Sequence, residues 1–178
     1  MDLTIRGIRQ EEYDQVYHFQ CEYLDKETFD DFLRRVSSRS GIYLAAFAGD
    51  DLTGICYGCP STRNRTAFSI QGIAVSLDND KGYARKGIGS KLLAALSSLA
   101  FEAGYESLDV GAADDAGVEA FYIKNGFEPY ELVAKQKGNI EIERVRIKDY
   151  GSGKKEQQRL REKHSPDEVI FIFKKQIK

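Results

Sequence analysis

Between Gly87 and Gly104 the chain carries its longest amphipathic pattern, and that pattern constrains everything around it. Ile88, Leu92, Leu93, Leu96, Leu99 and Ala103 recur at helical spacing, which predicts a helix from about Gly87 to Ala103 with Gly104 as its stop. A helix with one apolar stripe must bury it against another layer. Candidate strands precede it: Ile42 to Ala48 and Leu52 to Cys59, joined by the turn Gly49-Asp50-Asp51, and then Thr66 to Val75. The polar connection Leu77-Asp78-Asn79-Asp80-Lys81-Gly82 leads from the last of these into the helix. Beyond it lie a strand marked by Leu108 and Val110, a helix from Ala116 to Asn125 with Val118, Phe121 and Tyr122 on one face, and a strand from Phe127 to Ala134. This order predicts an α+β (α/β) fold, a mixed sheet flanked by helices.

At the N-terminus, Leu3, Ile5 and Ile8 suggest a first strand, and Glu11 to Asp25 has helical spacing in Tyr13, Val16, Tyr17 and Cys21. A second helix starts near Lys26, carries Phe29, Phe32, Leu33 and Val36, and ends before Gly41. In Thr66 to Val75, Phe68 and Ile70 share one parity and Ile73 and Val75 the other. Either a β-bulge at Gln71-Gly72 or a strand buried on both faces accounts for that shift. In the tail, Ile140, Ile142, Val145 and Ile147 suggest a strand, Lys154 to Lys163 a charged helix, and Val169 to Phe173 a closing strand, with Gly151-Ser152-Gly153 as a flexible loop. The 178 residues are expected to form a single domain, with a core of about 1–137 and an extension over 138–178.

Composition limits the function. No apolar run approaches the ~20 residues that span a bilayer, and the N-terminus does not read as a secretion signal, so a cytoplasmic location is expected without membrane contact. The three cysteines are expected to be reduced; Cys56-Tyr57-Gly58-Cys59 has metal-like spacing but no second ligand pair, so no metal is expected. A formal charge of −2 gives no general drive toward nucleic acid. The charge is uneven: residues 1–143 hold 15 basic and 23 acidic side chains, and residues 144–178 hold 11 and 5. That basic tail invites an RNA or ribosome reading, but Glu156, Glu162, Asp167 and Glu168 interrupt it as in a solvated charged helix.

The chemistry is concentrated in Arg85-Lys86-Gly87-Ile88-Gly89-Ser90-Lys91-Leu92-Leu93. Glycines at a helix start let backbone N–H groups approach a phosphate, and the positive end of the helix dipole favours the anion. A dinucleotide fingerprint would need a third glycine where Leu92 stands. A P-loop, suggested by Gly82 and Gly87, would need lysine where Ile88 stands. Two further features flank the segment: the strand end Ile73-Ala74-Val75, and Phe121-Tyr122-Ile123-Lys124-Asn125-Gly126-Phe127.

Together these resemble the GNAT superfamily of N-acetyltransferases. The resemblance covers residues 66–134 by motif order and spacing and residues 1–60 by element order, and the tail lies outside it. It implies a GNAT-like fold whose fourth and fifth strands splay apart, and acetyl-CoA as cosubstrate. By the resemblance, the strand end Ile73, Ala74 and Val75 holds the pantetheine arm through the backbones of Ile73 and Val75. The amides of Arg85, Lys86, Gly87, Ile88, Gly89 and Ser90 hold the pyrophosphate, and Tyr122 sits near the sulfur as general acid. The chain departs from the family pattern at three positions. Ala84 stands where Gln or Arg is usual, Asp115 where Asn is frequent near the coenzyme, and Ser69 where some relatives carry a glutamate base. Asp115 also reads as a helix N-cap. Asp109 and Glu22 are candidate bases.

The implied reaction is direct attack of an amine on the thioester, with partners limited to acetyl-CoA and an amine-bearing acceptor, and a homodimer compatible with this reading. The acids of the first two helices, Glu11, Glu12, Asp14, Glu22, Asp25, Glu27, Asp30 and Asp31, favour a cationic acceptor. The alternative is a non-catalytic acyl-CoA-binding or regulatory module of the same fold.

Overall fold

The computed structural model describes residues 2–77 and 82–178, so the expected connection at 78–81 lies outside the described residues. The chain divides into two compact units. The first runs to Glu106 and includes Ile177–Lys178; the second is Ser107–Gln176.

In the first unit, β1 (Thr4–Gly7), β2 (Ile42–Ala48), β3 (Asp51–Pro60) and β4 (Ala67–Val75) form an antiparallel ladder in that order. Gly49, with φ of 61°, makes the β2–β3 turn as expected. Between β1 and β2 come α1 (Tyr13–Tyr23) and α2 (Phe29–Val36), the latter capped by Thr28, whose hydroxyl accepts from Asp31 N at 3.2 Å. Alternation along the strands sorts the core into two sides. Ala45, Phe47, Ile55 and Tyr57 cluster with Val16, Phe19 and Phe32 of α1 and α2. Gly54, of opposite parity to Ile55, meets α3 (Ile88–Glu102) instead. Ile88, Leu92, Leu93 and Leu96 are buried as expected, but Leu99 is 39% exposed, Ala103 is exposed as the C-cap, and Ala100 takes the inward place. The i, i+4 series 88, 92, 96, 100 follows the buried line, and Leu99 lies off it. Gly104, at φ of 92°, ends the helix.

In the second unit the order is β5 (Ser107–Gly111), β8 (Glu168–Gln176), β6 (Glu128–Gln136), β7 (Ile140–Arg146), each pair antiparallel. α4 (Ala116–Lys124) follows β5, and α5 (Tyr150–His164) joins β7 to β8. The closing strand is therefore interior, paired with β5 on one side and β6 on the other, and Phe171 and Phe173 from it are fully buried.

Gly151-Ser152-Gly153 is not a loop but the start of α5. Asp149 accepts from Ser152 N at 2.7 Å while Ser152 Oγ accepts from Asp149 N at 3.3 Å, a reciprocal cap. Gly153 marks close approach rather than flexibility, since a Cβ there would lie 2.6 Å from the Phe171 ring and 2.8 Å from Ile147 Cδ1.

Candidate active site

The strand end expected to hold pantetheine is shaped by a bulge. Tyr57 pairs with Gly72 and Gly58 with Ile70, so Gln71 is the extra residue, and it points into solvent. This is the bulge alternative for the parity shift. Before it Phe68 and Ile70 are buried; after it Ile73, Ala74 and Val75 are each half-buried.

A polar and aromatic cluster supports the bulge from below. The Tyr57 ring, against which Gly72 lies, stacks on Tyr43 with centroids 4.8 Å apart, and the Arg35 guanidinium stands 4.6 Å from the Tyr57 centroid. Arg35 donates to both carboxylate oxygens of Glu27 at 2.6 Å, and Gln20 Oε1 accepts from Tyr43 Oη at 2.8 Å and Arg35 Nη1 at 3.1 Å. Burial pushes the Tyr57 phenol up to about 12, so it stays protonated at neutral pH.

The glycine-rich loop leads into α3 through three residues of left-handed backbone. Arg85, a non-glycine residue, has φ of 59°, and Gly82 and Gly87 have φ of 64° and 75°. Left-handed residues in a turn aim successive N–H groups toward a common concavity. Gly87 is the N-cap and supplies no side-chain acceptor. The first helical bond that reaches it is Lys91 N to Gly87 O at 3.0 Å, so the amides of Ile88, Gly89 and Ser90 precede the intrahelical ladder. Arg85, Lys86 and Lys91 are exposed around this end, with no ion pair among the described residues. Tyr83 anchors the loop by donating to Asp51 Oδ2 at 2.7 Å.

Gly54 brings these two parts together. A Cβ on it would lie 2.9 Å from the Ala74 carbonyl oxygen, 3.0 Å from Leu92 Cδ1 and 3.2 Å from Ile88 Cγ2. The strand end and the first turn of α3 thus meet at one glycine of β3.

Tyr122 and Asp115 belong to α4 of the second unit. Asp115 caps the helix, accepting from Gly117 N at 2.8 Å and Val118 N at 2.9 Å. Tyr122 is 4% exposed, its ring stacked on Phe173 and edge-on to Phe121 and Phe127. Gly126, at φ of 81°, turns the chain out of α4. Of the candidate bases, Glu22 is exposed on α1, and Asp109 is half-buried in β5. Ser69, half-buried in β4, accepts from Gln71 Nε2 at 3.2 Å.

Other features recede. Cys56 is fully buried, which pushes its thiol up and away from thiolate chemistry, and no group of residues suited to a metal occurs among the described residues. No helix among them is long and apolar enough to cross a membrane. Several bases of the tail pair with acids that precede it: Arg159 and Lys163 with Glu143, Arg161 with Asp114, Lys154 with Glu119. Glu119, 1% exposed, escaped the sequence reading, although a glutamate one turn before Tyr122 on the apolar side of a helix is the kind of signal that marks a buried pair.

A model of the acetyltransferase (GNAT) family matches residues 4–127. Among solved structures, Ard1 from Thermoplasma volcanium superposes with a TM-score of 0.70 at 18% identity, over 100% of this chain and 99% of that one. The ribosomal-protein-S18-alanine N-acetyltransferase from Escherichia coli gives 0.67 at 15%, over 99% and 94%. The PaiA N-acetyltransferase from Thermoplasma acidophilum, in complex with coenzyme A, gives 0.61 at 16%, over 99% of each chain. No curated protein matches the sequence. Across nearly its whole length the chain has the fold of these acetyltransferase structures, which extends to the tail that the resemblance left outside.

Proposed function

The chain belongs to the acetyltransferase (GNAT) family, and from that premise we propose that it transfers the acetyl group of acetyl-CoA to an amine by direct attack. The observation that carries this is the uncapped N-terminus of α3 behind the left-handed Arg85 and Gly87, tied through Gly54 to the strand end at Ala74. Its amides and dipole suit a diphosphate, and Arg85 and Lys86 add charge.

In this reading the backbones of Ile73 and Val75 bind pantetheine as an added strand would. The amine nitrogen forms a bond to the thioester carbon, and the Val75 N–H stabilises the oxyanion. The C–S bond then breaks, Tyr122 gives its proton to the departing thiolate, and the new amide's excess proton leaves to water or a carboxylate. Asp115, as the cap of α4, serves the coenzyme by fixing that helix. A cytoplasmic location is part of the same reading.

The acceptor is proposed to be cationic, on a reduced set of acids. Glu12, Glu27 and Asp31 are already paired with Arg6, Arg35 and Arg34, which leaves Glu11, Asp14, Glu22, Asp25 and Asp30, all exposed, to attract it.

Calorimetry with acetyl-CoA and CoA tests the coenzyme site. Binding of both is expected, and absence of binding at millimolar concentration would remove the proposal. Binding without thiol release across polyamines, aminoglycosides, amino acids and peptide N-termini would favour the non-catalytic module.

A further inference from the structure

α4 is a nine-residue helix, too short to hold its place by its own hydrogen bonds, so its position comes from what it packs against. One of its contacts is costly to break. The Glu119 carboxylate, one turn before Tyr122, is 1% exposed, and its Oε2 accepts from Tyr150 Oη at 2.5 Å and from Lys154 Nζ at 3.3 Å. A buried carboxylate that loses such donors is left uncompensated, so the arrangement has little freedom.

The same two partners of α5 touch the support of Tyr122. The Tyr122 ring stacks on Phe173 with centroids 5.9 Å apart, Phe173 packs on Phe171 at 5.7 Å, and Phe171 on Tyr150 at 5.2 Å. Lys154 Nζ lies 5.6 Å from the Phe171 centroid. A closed circuit therefore runs from Tyr122 through β8 to Tyr150 on α5, and back through Glu119 to α4. Gly153 makes the circuit tight by letting α5 approach Phe171.

We infer that Glu119 and Tyr150 are positioning residues for the Tyr122 hydroxyl, so that proton delivery in acetyl transfer depends on α5, a helix beyond the residues matched by the family model. This rests on Tyr122 acting as the acid. Burial and the Glu119 carboxylate push the Tyr150 phenol up to about 12, which keeps it a donor at working pH. Displacement of a reacting group by about 1 Å costs on the order of 100-fold in rate, so loss of one hydrogen bond in the circuit suffices to register.

The test is Tyr150→Phe, which keeps the ring on Phe171 and removes only the donated hydroxyl, measured alone and combined with Tyr122→Phe. Alone, kcat should fall by roughly 10-fold with KM for acetyl-CoA within about 2-fold of wild type. In the Tyr122→Phe background the same change should leave kcat unaltered, because no hydroxyl remains to be placed. A general structural role would instead lower kcat by the same factor in both backgrounds, and that result, or an unchanged kcat in the single variant, overturns the inference while leaving Tyr122 as the acid. An inert Tyr122→Phe overturns both. Glu119→Gln provides the second arm: it keeps an acceptor for Tyr150 but meets Lys154 less well, and should show the same background dependence, with melting curves confirming folded protein.

Discussion

The α-carbon of Gly72 lies against the Tyr57 ring so closely that a Cβ on Gly72 would stand 2.5 Å from Tyr57 Cζ. The bulge of β4 thus rests directly on a tyrosine fixed by Tyr43 and Arg35. Gly72→Ala should cost about 1–3 kcal/mol of stability by overpacking and should weaken acetyl-CoA binding, because Ile73 to Val75 must shift with it. Denaturant unfolding and calorimetry read the two effects; full stability would mean that Tyr57 yields easily.

Gly87 separates conformation from crowding. Nothing lies within 4 Å of a Cβ built there, but its φ of 75° disfavours any side chain. Gly87→Val should cost roughly 1–2 kcal/mol of backbone strain and reduce CoA affinity more than about tenfold by redirecting the amides. Gly89 is itself buried, so a bulky residue there tests packing and binding together. Unchanged affinity in Gly87→Val would show that the helix start does not meet the phosphates.

Glu143 gathers Lys163 at 2.6 Å, His164 at 2.5 Å and Arg159 at 3.1 Å, joining β7 to α5. Led by the Lys163 hydrogen bond, these partners hold its carboxyl at about 2, below the ordinary 4.5. A carboxylate depressed in the folded state stabilises fully above its unfolded pKa, and that contribution is lost as pH falls from about 4.5 through about 2. Glu143→Gln should flatten part of the fall in melting temperature across this window. Parallel curves for both proteins would show that the cluster adds nothing.

The fold was legible where pattern and physics coincide. The parity change between Ile70 and Ile73 narrowed β4 to a bulge or a strand buried on both faces, between which only the pairing of Gly58 with Ile70 decides, and the glycines at 87 and 104 marked both ends of α3. Leu99 misled because Leu99 and the smaller Ala100 beside it both lie near the stripe and cannot be ranked without knowing which line faces β3. Gly153 misled because a glycine that admits a neighbouring ring reads the same as one that loosens a loop. The uncapped helix start at Gly87 and the strand end after the bulge were legible as local backbone features, since both follow from local backbone chemistry. The Glu119–Tyr150 bond joins residues 31 apart in sequence and left only an out-of-pattern glutamate to see.

The most direct test of the whole reading is amine-dependent thiol release from acetyl-CoA, followed in the wild type and in Tyr122→Phe under conditions where chemistry limits turnover. Wild type should release CoA only when an acceptor amine is present. Tyr122→Phe should lower kcat by about 10- to 1000-fold with acetyl-CoA affinity nearly unchanged, and melting curves should show that the Phe173 stack still holds the ring. No amine-dependent release by the wild type, or an undiminished kcat in Tyr122→Phe, would contradict acetyl transfer with Tyr122 as its proton donor.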